Sequence, residues 1–194
     1  MPAEYLFIVR HGETKANEKG IEAGSLDYPL TKRGIKGAEF IAKNLSKIKV
    51  NAVYSSPIFR ACETAKILAK PHTLKIKTLE ELTEAKLKPE FIGKQGRHHI
   101  LTDPEAYSET NGDLLDRTKK AISIIIKAVN GNAIVVSHGD VINAMLEYVV
   151  ERRVNAEKYY VLDTDPTALS IMKIKEKQPI LILYNFHRKM FAEL

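Results

Sequence analysis

Arg10 and His11 stand side by side where the apolar run YLFIV, residues 5–9, gives way to Gly12. The same layout recurs twice. Arg60 lies in SSPIFRACETA, just after the run 51–54, and His138 lies in SHGD, just after the run 133–137. A lone histidine or arginine in a loop is usually solvated. Two imidazoles and two guanidiniums brought together form a set with a chemical purpose. Guanidinium forks suit a phosphate dianion through paired, charge-assisted hydrogen bonds. An imidazole that is largely neutral near physiological pH can attack phosphorus through its free nitrogen and carry the phosphoryl group. His11 is the candidate nucleophile, with Arg10 keeping it uncharged. Arg10 and Arg60 are the candidate phosphate ligands. His138 is the candidate donor to the phosphoryl oxygens, a role commonly worth about 3 kcal/mol in the transition state.

Smaller parts follow. Gly12 is expected to let the backbone pass close to the phosphate. Thr14 and Asn17 add donors, a helix start near Thr14 is expected to aim N–H groups at the anion, and Gly139 is a further candidate contact. A proton donor for the leaving oxygen is also required. The stretch LEELTEAKLKP offers Glu80, Glu81 and Glu84, and periodicity does not choose among them.

The elements that must position these groups are strands and helices in alternation. Strand-like runs occur at 5–9, 51–54, 74–78, 133–137, 168–174 and 180–184. Between them, Ala38, Ile41, Ala42, Leu45 and Ile48 recur at helical spacing. So do Ile122, Ile125, Ile126 and Val129, and so do Val141, Ala144, Met145 and Tyr148. Such alternation predicts a three-layer α/β/α sandwich with a mostly parallel central sheet. The last two runs, split by EKQP, predict a terminal antiparallel hairpin. Residues 85–115 lack strong periodicity and are expected to carry specificity. Ligands of parallel sheets bind outside the carboxyl ends of the strands, where Arg10, His11, Arg60 and His138 all fall.

The chain of 194 residues is expected to form a single domain over 1–194. Hydrophobic residues make up 44% and charged residues 28%, an ordinary globular balance. No apolar run approaches the roughly 20 residues of a membrane span. The start MPAEYLF has no basic segment of a signal peptide, and a lone Cys62 fits a reducing compartment, so the expectation is a cytoplasmic protein. The net charge of +6 points to an anionic partner. The lysines are dispersed rather than clustered with aromatics, which argues for a solvated surface over a nucleic-acid groove. A small-molecule partner is expected, with no nucleic acid and no membrane.

In order along the chain, four segments resemble the histidine phosphatase superfamily, also called phosphoglycerate-mutase-like. RHGETKAN resembles its nucleophile motif, and LTKRGIKGA (30–38) its Leu-Thr-x-x-Gly-x-x-x-Ala helix start. SSPIFRACETA (55–65) resembles its arginine segment, and VVSHGDVINAML (135–146) its second-histidine motif. The resemblance implies an α/β/α sandwich, a phosphohistidine at His11, and a phosphate pocket of Arg10, Arg60 and His138 with Asn17. It implies no metal and no cofactor. A Leu-x-Glu about twenty residues after Thr64-Ala65 favours Glu84 as the acid/base, with Glu81 as the fallback. The chain departs from the family pattern in AKLKPEFIG, after the acid, and in GDLLDR (112–117), where Asp113 stands for the glutamate of a helix start.

A phosphomonoester hydrolase acting on small phosphorylated metabolites is therefore expected. The alternatives are a cofactor-dependent phosphoglycerate mutase and, behind it, a catalytically silent phosphate-binding module. Lys86, Lys88, Lys94 and Arg97 are candidates to grip a second acidic group, or else a solvated basic loop. Cys62 reads as a packing residue, His98-His99 as a surface loop, His72 and His187 as exposed, and Arg152-Arg153 as solvated.

Overall fold

A computed structural model describes residues 3–95, 103–150, 164–176 and 178–186. Six strands form one sheet: β1 (Ala3–Arg10), β2 (Ala52–Ser55), β3 (Ile76–Thr78), β4 (Gly131–Ser137), β5 (Leu169–Lys175) and β6 (Gln178–Phe186). Their order is β3-β2-β4-β1-β5-β6. The first four run parallel, and β5 and β6 are antiparallel additions. The sheet is thus mostly parallel, with the expected hairpin at its end. β6 is an edge strand and therefore tolerates Pro179, which donates nothing to a ladder.

β1 shows why the sequence runs apolar without a break. Leu6 and Ile8 enter one core, with Tyr54, Val135, Ile122, Ile125 and Met145. Phe7 and Val9 enter the other, with Val53, Ile134, Ile41, Leu45 and Leu68. Both faces are covered by helices, so alternate residues are all buried. Each large side chain taken fully from water contributes roughly 1.5–3 kcal/mol.

The described α-helices are α1 (Lys15–Lys19), α2 (Lys32–Leu45), α3 (Phe59–Ala69), α4 (Asn111–Ala128) and α5 (Gly139–Val150), joined by short 3₁₀ turns. The stripe Ala38, Ile41, Ala42, Leu45 is buried on α2. Ile48, read as its continuation, lies beyond the helix end but still packs on the core. Thr31 caps α2 by accepting from the Gly34 N–H at 3.0 Å. A Cβ on Gly34 would meet the Glu13 carbonyl oxygen at 2.3 Å, so a glycine here lets α2 press on the segment after β1.

The irregular stretch is shorter and more buried than expected. It ends at Thr110, which caps α4 in a reciprocal pair with Asp113. Ala85, Leu87, Ala106 and Tyr107 are core residues, so part of the stretch packs inside.

Candidate active site

Parallel register sets three strand ends level. Arg10 pairs with Ser137 across β1 and β4, and Ser55 with Val136 across β2 and β4. The next residues, His11, Ser56 and His138, therefore leave the sheet at one edge, around the central strand β4. This is the crevice that parallel topology creates. The rings of His11 and His138 lie 5.2 Å apart, centre to centre, and both residues are buried.

The His11 ring is oriented by its neighbours. Nδ1 lies 2.8 Å from the Gly12 carbonyl oxygen, which can only accept, so Nδ1 carries the proton. Nε2 is then the bare nitrogen, and the Arg60 Nε–H donates to it across 3.2 Å. The remaining Arg60 nitrogens donate to the carbonyls of Leu26 at 3.2 Å and Gly24 at 2.9 Å. Arg10 donates to the carbonyl of Thr164. The Thr167 N–H donates to the His11 carbonyl at 3.2 Å. The segment 164–168 thus braces Arg10 and His11 from behind, a role nothing in its sequence signals.

His138 is fully buried. Burial first, and then the nearby Arg60, His11, Arg10 and Arg117, hold its pKa well below 6.5. It is a neutral ring at physiological pH. Its Nε2 lies 2.8 Å from Ser56 Oγ, which also accepts from the Ile58 N–H. Nδ1 has no hydrogen-bond partner among the described residues, and it faces Glu84 Oε2 at 3.7 Å.

Geometry chooses among the three glutamates. Glu84 reaches His138, whereas Glu81 turns away to Lys120 at 2.8 Å. Glu80 lies on the preceding 3₁₀ turn. The loop carrying Glu84 is held by Arg117, which sequence reasoning passed over. Arg117 donates to the carbonyls of Glu81 (2.9 Å), Thr83 (2.7 Å) and Glu84 (3.2 Å). Its other N–H groups form a fork on Glu109 at 2.6 and 2.8 Å. Ser137, at the end of β4, adds a bond from its Oγ to the Leu82 carbonyl at 2.8 Å. GDLLDR, read as a helix start with Asp113 in the glutamate's place, does lie in the first turns of α4. The buried carboxylate at this helix is Glu109, before the cap, and Asp113 serves only the cap. Two residues eight apart that meet across a helix start, Glu109 and Arg117, were the signal available.

Other expectations are revised. The missing side chain of Gly12 faces α2 rather than an anion: a Cβ there would meet the Gly34 carbonyl oxygen at 3.0 Å. Three N–H groups at the helix start near Thr14 are taken within the chain. The Thr14 N–H goes to Asn17 Oδ1, the Asn17 N–H to Thr14 Oγ1, and the Lys15 N–H to the Pro29 carbonyl. Thr14 and Asn17 cap α1 with each other. Gly139 lies against Arg10, whose Cζ would be 3.6 Å from an added Cβ, so the position would accept alanine. Cys62 is half-buried and its thiol meets the Ser56 carbonyl at 3.3 Å, as befits packing. His72 is half-buried rather than exposed, and burial lowers its pKa. Lys88 pairs with Glu105 at 3.5 Å, Lys94 is exposed, and Lys86 lines the cleft beside Glu84. Arg97, His98, His99, Arg152, Arg153 and His187 lie outside the described residues.

His11, Glu84 and His138 bring one ligand-type atom each within 4.8 Å of one another. The guanidiniums beside them make the place favourable to an anion and unfavourable to a cation. Among the described residues no helix is long and apolar enough to cross a membrane.

Comparison with known proteins agrees with this geometry. A model of the histidine phosphatase superfamily (branch 1) matches residues 6–187. The chain is similar to the 2,3-bisphosphoglycerate-dependent phosphoglycerate mutase of Thermoplasma acidophilum, 28% identical over 87% of this chain and 86% of the relative. It is equally similar to the adenosylcobalamin/alpha-ribazole phosphatase of Escherichia coli, 28% identical over 93% of this chain and 95% of the relative. Among solved structures, a mycobacterial hydrolase (Mycobacterial hydrolase 1) superposes with a TM-score of 0.83 at 20% identity, covering 95% of this chain and 99% of the other.

Proposed function

This chain belongs to the histidine phosphatase superfamily, and on that premise we propose that it hydrolyses phosphomonoesters of small metabolites through a phosphohistidine at His11. The observation that carries the reading is the bare Nε2 of His11, held by Arg60 in a pocket shared with Arg10, His138 and Glu84.

The mechanism follows from the groups present. The phosphate dianion binds to Arg10 and Arg60, whose charges offset its own. The Nε2 lone pair of His11 attacks phosphorus, and the bond from phosphorus to the ester oxygen breaks. Glu84, as the carboxylic acid, gives its proton to the departing oxygen and leaves as carboxylate. Neutral His138, with the Ser56 hydroxyl taken as the donor to its Nε2, offers Nδ1–H to a phosphoryl oxygen as charge builds there. In the second half Glu84 takes a proton from water, the water oxygen bonds to phosphorus, and the P–N electron pair returns to Nε2. Phosphate leaves, and Glu84 holds the proton for the next turnover. No metal is required in this scheme, because the guanidiniums supply the positive charge. Thr14, Asn17 and Gly139 complete the rim of the phosphate site. The reaction is assigned to the cytoplasm.

Equal identity to a mutase and a phosphatase does not separate the two reactions. Charge favours hydrolysis. A mutase must grip a substrate carboxylate as well as its phosphate. Among the described residues lining the cleft beside Glu84, Lys86 is the one cation, against Asp27, Glu80 and Glu84. The test is hydrolysis of p-nitrophenyl phosphate in EDTA, inhibited by vanadate and absent from His11→Ala. Strong dependence on 2,3-bisphosphoglycerate identifies a mutase instead. Phosphate binding without any turnover identifies the silent module.

A further inference from the structure

A leaving alcohol must begin beside its proton donor, so the remainder of the substrate lies in the cleft that Glu84 lines. That cleft holds about 850 Å³ and is bounded by residues near 24–27, 57–62 and 80–92. Its size suits a ligand well beyond a three-carbon acid. Its walls are tied to the catalytic groups. Gly24, whose carbonyl accepts from Arg60 at 2.9 Å, is in the left-handed region at φ +49. Ile92 lies so close that a Cβ on Gly24 would meet its Cγ1 at 3.1 Å. The cleft is therefore preformed around the resting site.

Two features of the lining select a ligand. The first is apolar surface. Phe59, next in sequence to Arg60, lines the cleft and is 42% exposed. Ile58, Leu87, Pro89 and Ile92 line it with Phe59. Contiguous apolar surface of this kind in a cleft marks a place that a ligand covers. The second feature is charge. The phosphate already has Arg10 and Arg60. Among the described residues, a second acidic group in the cleft would face three carboxylates and one ammonium, Lys86.

Resting on the phosphomonoesterase reading, we propose that the preferred substrates are monophosphate esters of uncharged, apolar alcohols of about aryl size. The phosphate is then the substrate's only anionic group.

The experiment compares esters of alkyl alcohols, so that leaving-group acidity does not decide the order. kcat/KM is measured in EDTA for 2-phenylethyl phosphate, ethyl phosphate, 3-phosphoglycerate and phosphoserine, with p-nitrophenyl phosphate as a reference. The phenylethyl ester is expected to exceed each of the other three by about tenfold, the value of roughly 50 Å² of apolar contact. Phe59→Ala, at an exposed position, should lower the phenylethyl-to-ethyl ratio about fivefold. Faster turnover of 3-phosphoglycerate or phosphoserine overturns the inference, as does an unchanged ratio in the variant. Both results leave the hydrolase standing if p-nitrophenyl phosphate is cleaved. Release from no ester, p-nitrophenyl phosphate included, overturns the hydrolase reading and this inference with it.

Discussion

Arg60 donates from Nε to Nε2 of His11 across 3.2 Å, so the lone pair proposed to attack phosphorus rests on one of the cations proposed to hold the phosphate. An arriving phosphate competes for that N–H and, in taking it, exposes the lone pair to phosphorus. In the proposed mechanism, binding and activation of the nucleophile are then one event.

His11→Ala should abolish turnover and covalent labelling together. Wild-type protein mixed with a ³²P-labelled ester and quenched in alkali should retain label on the chain, and the variant should not. Arg60→Lys keeps a charge but loses the fork, and should lower kcat/KM by about 10²–10³. Labelling that survives in His11→Ala would remove the phosphohistidine from the mechanism.

Glu84 should matter in proportion to how poor the leaving group is. In Glu84→Gln, alkyl phosphate turnover should fall by about 10²–10⁴, while p-nitrophenyl phosphate, whose leaving oxygen needs little protonation, should lose far less. Rates for a series of esters plotted against alcohol pKa should steepen. Equal losses on both kinds of ester would assign Glu84 another task.

Arg117 should act through Glu84. Its bonds to the carbonyls of Glu81, Thr83 and Glu84 hold the loop, and its fork on Glu109 is itself largely buried. Arg117→Ala takes the cation from that buried carboxylate, leaving it the Lys86 N–H, and should cost about 3–5 kcal/mol of stability. Arg117→Lys retains the charge, and should keep the fold while steepening the same leaving-group plot. A Lys variant with lowered rates but an unchanged slope would make Arg117 purely structural.

Acid should destabilise the fold through His138. Its folded pKa lies well below 6.5, so the unfolded chain binds a proton that the folded chain refuses. The stability it contributes is complete above the unfolded value. It is lost progressively as pH falls from about 6.5 toward the folded value. Denaturant midpoints measured between pH 7.5 and 5 should decline. In His138→Gln they should decline less over that window, and parallel curves would show that other groups are responsible.

Gly34→Ala should destabilise, although alanine is ordinarily the better helix residue. The added Cβ would lie 2.3 Å from the Glu13 carbonyl oxygen and 2.7 Å from its nitrogen. The helix or the segment after β1 must move, at a cost of about 1–3 kcal/mol. Melting temperature and kcat should fall together, because that segment begins at His11. An unchanged melting temperature would show that α2 can give way freely.

Strand runs and helix stripes were legible because burial repeats with a local period. Leu6 to Val9 read as a doubly buried strand, and Ala38 to Leu45 as one helix face, from spacing alone. The same logic places Arg10, His11 and His138 after strands and leads to one crevice. Local pattern misled where a residue's partner is remote. Gly12 was assigned to the anion, but its neighbour is Gly34, brought there by the packing of α2.

The chain by itself determined which side chains are chemically able and that strand ends would present them, since both follow from residue type and periodicity. Only the tertiary structure decided that Glu84 and not Glu81 reaches His138, that Arg117 and Glu109 hold it there, and which nitrogen of His11 is bare. Those outcomes rest on hydrogen bonds between residues far apart in the chain, such as Arg60 to His11, 49 positions away. Bonds of that kind form only when packing fixes their distances and directions, and no local spacing encodes them.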